Sequence, residues 1–241
     1  LFAGNLYFPN QIPRSYLPVL LGFQLTETTL LLVLFGIFIS LRKKVSLDYA
    51  VLLLAWCALP FTWFFVSRIS LYDNFRHVLF ILPPLFLLAG MGFDWLFNKF
   101  PAPLHRYLIT VVAIIPALLA DVRLHPYQYI YYNQLAGGMS GVYRSYQLDY
   151  WDVSYREAAL YLNQIAPENA SVVPVGPYPI MSYYLRSDLQ LIDPLEVAAN
   201  WQDYDFIVVS TRNNEDLGFS RYKTIHAIER SGAVLAVIKR P

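Results

Sequence analysis

Four long apolar runs, at roughly residues 20–41, 49–67, 77–97 and 107–122, limit what this chain can fold into. A helix rises 1.5 Å per residue, so about 20 apolar residues span a hydrocarbon layer about 30 Å thick. Runs of this length joined by short connections predict a packed array of transmembrane helices. Composition agrees: 56% of the 241 residues are hydrophobic and only 15% are charged, too apolar for an ordinary soluble domain. The excess stops near residue 122, and from Leu124 onward apolar and polar residues mix as in a water-facing domain. The expected architecture is an α-helical integral membrane region of about four transmembrane helices followed by a small α/β extracytoplasmic domain. Its parts are a helical region over 1–122, an interfacial aromatic segment over 123–150 and an α/β domain over 151–241.

Charge and cysteine usage exclude several classes. A net charge of +1 without a basic run argues against nucleic acid as a partner. The single cysteine, Cys57, excludes an intrachain disulfide and a Cys-rich metal site. No GxGxxG, GxxxxGK[ST] or GxSxG pattern occurs, so the α/β tail carries no nucleotide-binding or hydrolase signature. The opening "LFAGNLYFPNQIPRSY" has neither an initiator methionine nor the form of a signal peptide, and reads as a loop continuing from upstream sequence.

Positive residues of the short loops set the expected orientation. Arg42, Lys43 and Lys44 follow the first run, and Lys99, His105 and Arg106 lie between the third and fourth, against Arg14, Arg68 and Arg76 on the other side. This bias puts the 42–48 and 98–106 loops in the cytoplasm and the tail outside, in a multi-pass protein of the plasma (inner) membrane. Tyr127, Tyr129, Tyr131 and Tyr132 would then form an aromatic belt at the outer interface. Within the tail, "VSYREAALYLNQIA" has helical spacing, "ASVVPVG" and "YDFIVVS" read as strands, "TIHAIERSGAVLAVIKR" reads as two strands around Ser231-Gly232, and a further helix is expected near 178–186.

Three groups could carry chemistry. In "LYDNFRH", Asp73, Arg76 and His77 stand at the lip of the third run: Arg76 could bind a phosphate with Asp73 orienting it and His77 adding a donor, or it could snorkel to the interface as an anchor. Pro83-Pro84 would kink the helix that follows, and Gly90 and Gly92 would allow close helix contact. Glu27, in "FQLTETTLLLVLFG", either lies within the apolar core facing a cavity or opens a helix, where the dipole favours an acid. The aromatic stretch over 125–158, with Tyr132, Asn133, Asp149, Tyr150 and Trp151, suits either a carbohydrate-facing surface or a collar that seats the tail on the membrane.

"LYDNFRHVLFILPPLFLLAGMGFDWL", "HPYQYIYYNQLAGGMSGVYRSYQLDYWDVSYREAALYLN" and "PRSYLPVLLGFQLTE" resemble the carboxy-terminal third of bacterial GT-C superfamily membrane glycosyltransferases. These are family 39-like enzymes related to protein mannosyltransferases and the lipid A aminoarabinose transferase. The resemblance spans nearly all of residues 10–165 and implies a cell-envelope enzyme that moves a sugar from a polyprenyl-phosphate donor to a glycan, lipid or protein acceptor. It places the acidic catalytic base upstream of this chain, so the chain alone is expected to be inactive. It also maps Arg76 and His77 onto a basic pair beside the lipid phosphate. No cofactor is identifiable, and a divalent metal is conceivable only in the full-length enzyme. The competing expectation is a membrane-anchored extracellular binding or sensor protein without catalytic activity.

Overall fold

The computed structural model describes residues 1–42, 47–67, 70–197 and 201–241. Lys43, Lys44 and Arg68, part of the charge argument above, lie outside the described residues. The chain forms two compact units: a helical one of residues 7–125 and 131–138, and an α/β one of residues 1–6, 126–130 and 139–241.

The helical unit contains α1 (Tyr16–Gln24), α2 (Glu27–Arg42), α3 (Leu47–Ser67), α4 (Leu82–Lys99) and α5 (Pro103–Leu124). Among the described residues, three helical segments, Asp48–Ser67, Arg76–Lys99 and Pro103–Leu124, are long and apolar enough to cross a membrane, and the bent pair α1–α2 would make a fourth. The expected first run is therefore not one helix. It breaks at Leu25, and its halves are bent by 112°. The polar quartet Thr26–Thr29 explains the break: Thr26 Oγ1 accepts the backbone N–H of Thr29 at 3.3 Å, an N-cap that restarts the helix.

The third run also departs from expectation. Arg76–Ile81 is a 3-10 helix, and Pro83 and Pro84 fall in the first turn of α4, where a missing N–H leaves no bond broken. The prolines start the α-helix instead of kinking its interior. Below them, α2 and α4 cross with their backbones in contact. A methyl group added at Gly36 would collide with the Leu88 carbonyl, and one at Gly92 would stand 2.5 Å from the Leu32 oxygen. Gly92 thus packs as expected, whereas Gly90 is exposed with nothing near it, and its place is taken by Gly36. Buried Ser40 donates to the Gly36 carbonyl at 2.7 Å, and Val33, Leu53, Leu88 and Ala89 form the apolar core around the crossing.

The α/β unit is a five-stranded mixed sheet: β1 (Ser171–Val175), β2 (Gln190–Leu191), β3 (Phe206–Ser210), β4 (Lys223–Arg230) and β5 (Ala233–Arg240), in the order β2-β1-β3-β5-β4. β1 runs parallel to β2 and β3, and β5 lies antiparallel between β3 and β4. Two short helices, α6 (Gly138–Val142) and α8 (Tyr178–Ser182), flank the longer α7 (Ser154–Ile165). α7 buries Tyr155, Ala158, Ala159 and Leu162, while all of β3 is buried. Gly232, at φ 82°, makes the expected β4–β5 turn.

Candidate functional site

The lip of the third run is built around two left-handed residues. Asp73 (φ 53°) and Asn74 (φ 61°) reverse the chain just before the 3-10 helix, and both are buried. Short side chains that bond locally tolerate this backbone better than others do. Asn74 is fixed from two directions: the Tyr16 hydroxyl donates to its carbonyl at 3.4 Å, and the Tyr132 hydroxyl donates to its Oδ1 at 3.3 Å.

That reversal aims the three expected site residues at one another. Arg76 Nη2 lies 3.1 Å from Asp73 Oδ2, and Arg76 Nε donates to His77 Nε2 at 3.3 Å. An acceptor at Nε2 requires the imidazole proton on Nδ1, leaving that nitrogen as a donor. The guanidinium also sits 5.0 Å from the Tyr72 ring centroid, and Tyr72 meets the His77 ring edge-on at 4.5 Å. Arg76 keeps 24% of its side chain exposed, and His77 and Tyr72 are exposed. The result is a fixed planar donor flanked by an acid, an imidazole and a phenol, a set suited to holding an anionic oxygen. Arg76 and Asp73 together are neutral, so such binding depends on donor orientation more than on net charge. Asn74 and Tyr72 belong to this cluster and were not singled out from the sequence; the signal available was their adjacency to Asp73.

Glu27 is at the first position of α2, half-buried, with its carboxylate accepting the backbone N–H of Gln134 at 2.6 Å. Of its two readings, the helix-opening one describes its place. Asn133 is buried beside it, donating to the carbonyls of Gly22 and Leu25, each at 2.7 Å. Its Oδ1 accepts the N–H of Ala136 at 3.2 Å. The two bonds that Asn133 donates satisfy carbonyls that the α1–α2 bend leaves open. Tyr132 and Asn133 are thus interior residues and not a sugar-facing surface. Nor do the four tyrosines form an exposed belt: Tyr127 and Tyr132 are fully buried, Tyr129 donates to Asp149, and Tyr131 is half-buried, its phenol pushed up to about 12 by burial and then by the charge of Glu27.

Asp149, Tyr150 and Trp151 belong to the α/β unit. Asp149 is completely buried, Tyr150 stacks edge-on against Tyr129 at 5.0 Å, and Trp151 stays 53% exposed. Beside them stand Asp152, Tyr155, Ser210 and Arg212, which the sequence reading passed over. The Tyr155 hydroxyl donates to the Val175 carbonyl and accepts the N–H of Ser210 at 3.1 Å, pinning the ends of β1 and β3. Among the described residues, no group of three or more His, Cys, Asp or Glu side chains could hold a metal ion.

Compared with known proteins, the chain matches no family model, no curated protein and no solved structure.

Proposed function

We propose that the chain is the late transmembrane part and exported domain of an integral membrane glycosyltransferase, which moves a sugar from a polyprenyl-phosphate donor to an extracytoplasmic acceptor. The observation that carries this reading is the Asp73–Arg76–His77 cluster, a guanidinium fixed by two partners at the head of an apolar helix. Breaking a sugar–phosphate bond builds negative charge on the departing lipid phosphate. A donor already oriented toward that charge stabilises the transition state more than the ground state. The resemblance of the surrounding residues to GT-C enzymes supports the same reading, the apolar helices support a multi-pass membrane protein, and the proposed siting in the plasma membrane with the α/β domain outside rests on the positive residues of the loops.

The test is made in the full-length protein, with activity expressed per folded molecule. Arg76→Ala is expected to lower turnover of a polyprenyl-phosphate sugar by about tenfold to a thousandfold, the loss typical of one preorganised donor. Arg76→Lys is expected to recover only part of it, because an ammonium keeps the charge and loses the planar fork. Equal specific activity for wild type, Ala and Lys forms would make Arg76 an interfacial anchor and remove the basis for the proposal. An assay with and without a chelator reports whether a divalent metal takes part.

A further inference from the structure

Two buried carboxylates share one tight turn at the start of α7. Asp149 accepts the backbone N–H groups of Val153 at 2.9 Å and Ser154 at 3.1 Å, and the hydroxyl of Tyr129. Asp152, also buried, closes the turn by donating its N–H to the Asp149 carbonyl at 2.8 Å, and its own carbonyl accepts the N–H of Tyr155 at 3.0 Å. Both acids adopt left-handed backbone, with φ 36° and 52°. The arrangement is strained and low in solvent, and it forms only while the turn is closed.

The groups facing Asp152 come from every neighbouring element. Its own turn supplies Asp149, α7 supplies Tyr155, the end of β3 supplies Ser210, the 3-10 segment Arg212–Phe219 supplies Arg212 and Glu215, and the 3-10 turn Gln128–Ile130 supplies Tyr129. Arg212 Nη1 approaches to 3.7 Å, longer than a direct hydrogen bond. Arg144 is engaged elsewhere, bonding both oxygens of Asp216 at 2.5 and 2.7 Å. Burial, and then the charge of Asp149, push Asp152 up to about 7 against the pull of Arg212. Burial also raises Asp149 and Glu215.

We propose that the Asp149–Asp152 turn, with Arg212 facing it, is a proton-operated latch on the first turn of α7. With a proton on the acid pair, one negative charge remains and the donors around Asp149 serve it. Loss of the proton leaves two adjacent carboxylates away from water, and the direct relief is to open the turn and carry Asp152 into solvent. Opening frees the N–H groups of Val153, Ser154 and Tyr155, and loosens the neighbouring hydroxyl that pins β1 and β3. Acidic surroundings therefore hold the unit closed and neutral surroundings relax it.

The sign follows from linkage. A group whose pKa is raised on closing binds its proton more tightly closed than open, so opening rises with pH until the closed form has lost its proton. The test is hydrogen exchange of the full chain in detergent, read at the amides of Val153, Ser154 and Tyr155 between pH 5 and 8 and corrected for intrinsic rates. The opening constant is expected to rise about tenfold per pH unit from about pH 5 to 7 and to level off by about pH 8. Asp152→Asn is expected to remove this slope and hold the low-pH value throughout. Arg212→Gln, which keeps Asp152, is expected to move the levelling point to higher pH. A flat wild-type profile, an unchanged slope in Asp152→Asn, or an unmoved levelling point in Arg212→Gln would each overturn the latch. Should Asp152→Asn fail to fold, the wild-type slope and the Arg212→Gln shift decide the matter.

Discussion

The α2–α4 crossing offers the sharpest test of the helical unit, because its closeness rests on two hydrogen atoms standing where side chains would be. A methyl at Gly92 would stand 2.5 Å from the Leu32 oxygen and 2.9 Å from the Gly36 nitrogen, where ordinary contact begins at 3.4 Å. At that site the helices must part by about 0.9 Å, the difference between 3.4 and 2.5 Å, and at Gly36 by more. Backbone cannot rotate aside as a flexible side chain can, and a gap approaching 1 Å forfeits roughly a quarter to a half of each dispersion contact along the seam. Overpacking of this kind costs about 1–3 kcal/mol. Both Gly36→Ala and Gly92→Ala should destabilise, and Gly36→Ala, the deeper clash, should sit at the upper end of that range and still cost about 2 kcal/mol after an offset of up to about 1 kcal/mol of helix propensity. Once the first methyl has separated the helices, the second meets less resistance, so the double variant should cost less than the sum. Gly90→Ala is the internal control, since nothing lies within 4 Å of its added methyl; it should be neutral or slightly stabilising. The assay is reversible unfolding of the full chain in mixed micelles, followed by circular dichroism. Gly36→Ala within about 0.5 kcal/mol of wild type, or Gly90→Ala as damaging as Gly36→Ala, would refute the reasoning, since surface changes fall in that range.

Asn133→Ala should destabilise the helical unit by about 2–4 kcal/mol, because it strands the carbonyls of Gly22 and Leu25, and each buried unmet group costs about 1–3 kcal/mol; denaturant titration measures it, and a loss below about 0.5 kcal/mol, the size of an ordinary surface change, would count against the bend being held this way. Arg144→Lys should lower the melting temperature, since an ammonium cannot make the paired bonds to Asp216, and charge-assisted bonds of this kind contribute about 1.5–3 kcal/mol each before solvent screening reduces the value. Single cysteines at Ser187 and Ala102 in a Cys57→Ser background test sidedness in intact cells: an impermeant thiol reagent should label position 187 and spare position 102, and the reverse would invert the proposed topology.

The parts of the fold legible in the sequence are those where one local signal dominates. Continuous apolar runs marked α3 and α5, helical spacing marked α7, and β-rich segments around a Ser-Gly turn marked β4 and β5. The α1–α2 bend was missed because hydropathy averaged over a span absorbs four polar residues, whereas the cap at Thr26 acts on a single turn. Burial of Tyr127 and Tyr132 was missed for another reason: a tyrosine suits a membrane interface or an interior equally, and only distant partners decide. The cluster at Arg76 was legible as residues, since Asp73 and Arg76 are three apart, but its geometry was not. It depends on the left-handed backbone at Asp73 and Asn74, and on Tyr132, brought in from 58 residues away to bond Asn74.

The bonds that Asn133 makes to Gly22 and Leu25 join residues 111 and 108 positions apart. If the helices enter a membrane as proposed, the nascent chain presents α1 and α2 to the translocation machinery well before Asn133 exists. On the membrane reading, the two halves have no partner for their central carbonyls at that stage, and a continuous helix is the form that hides them from lipid. The elbow would then be a late product of biogenesis, drawn from a straight precursor when the loop after α5 arrives. Ribosome-bound intermediates cut short before and after residue 133 would carry the two shapes.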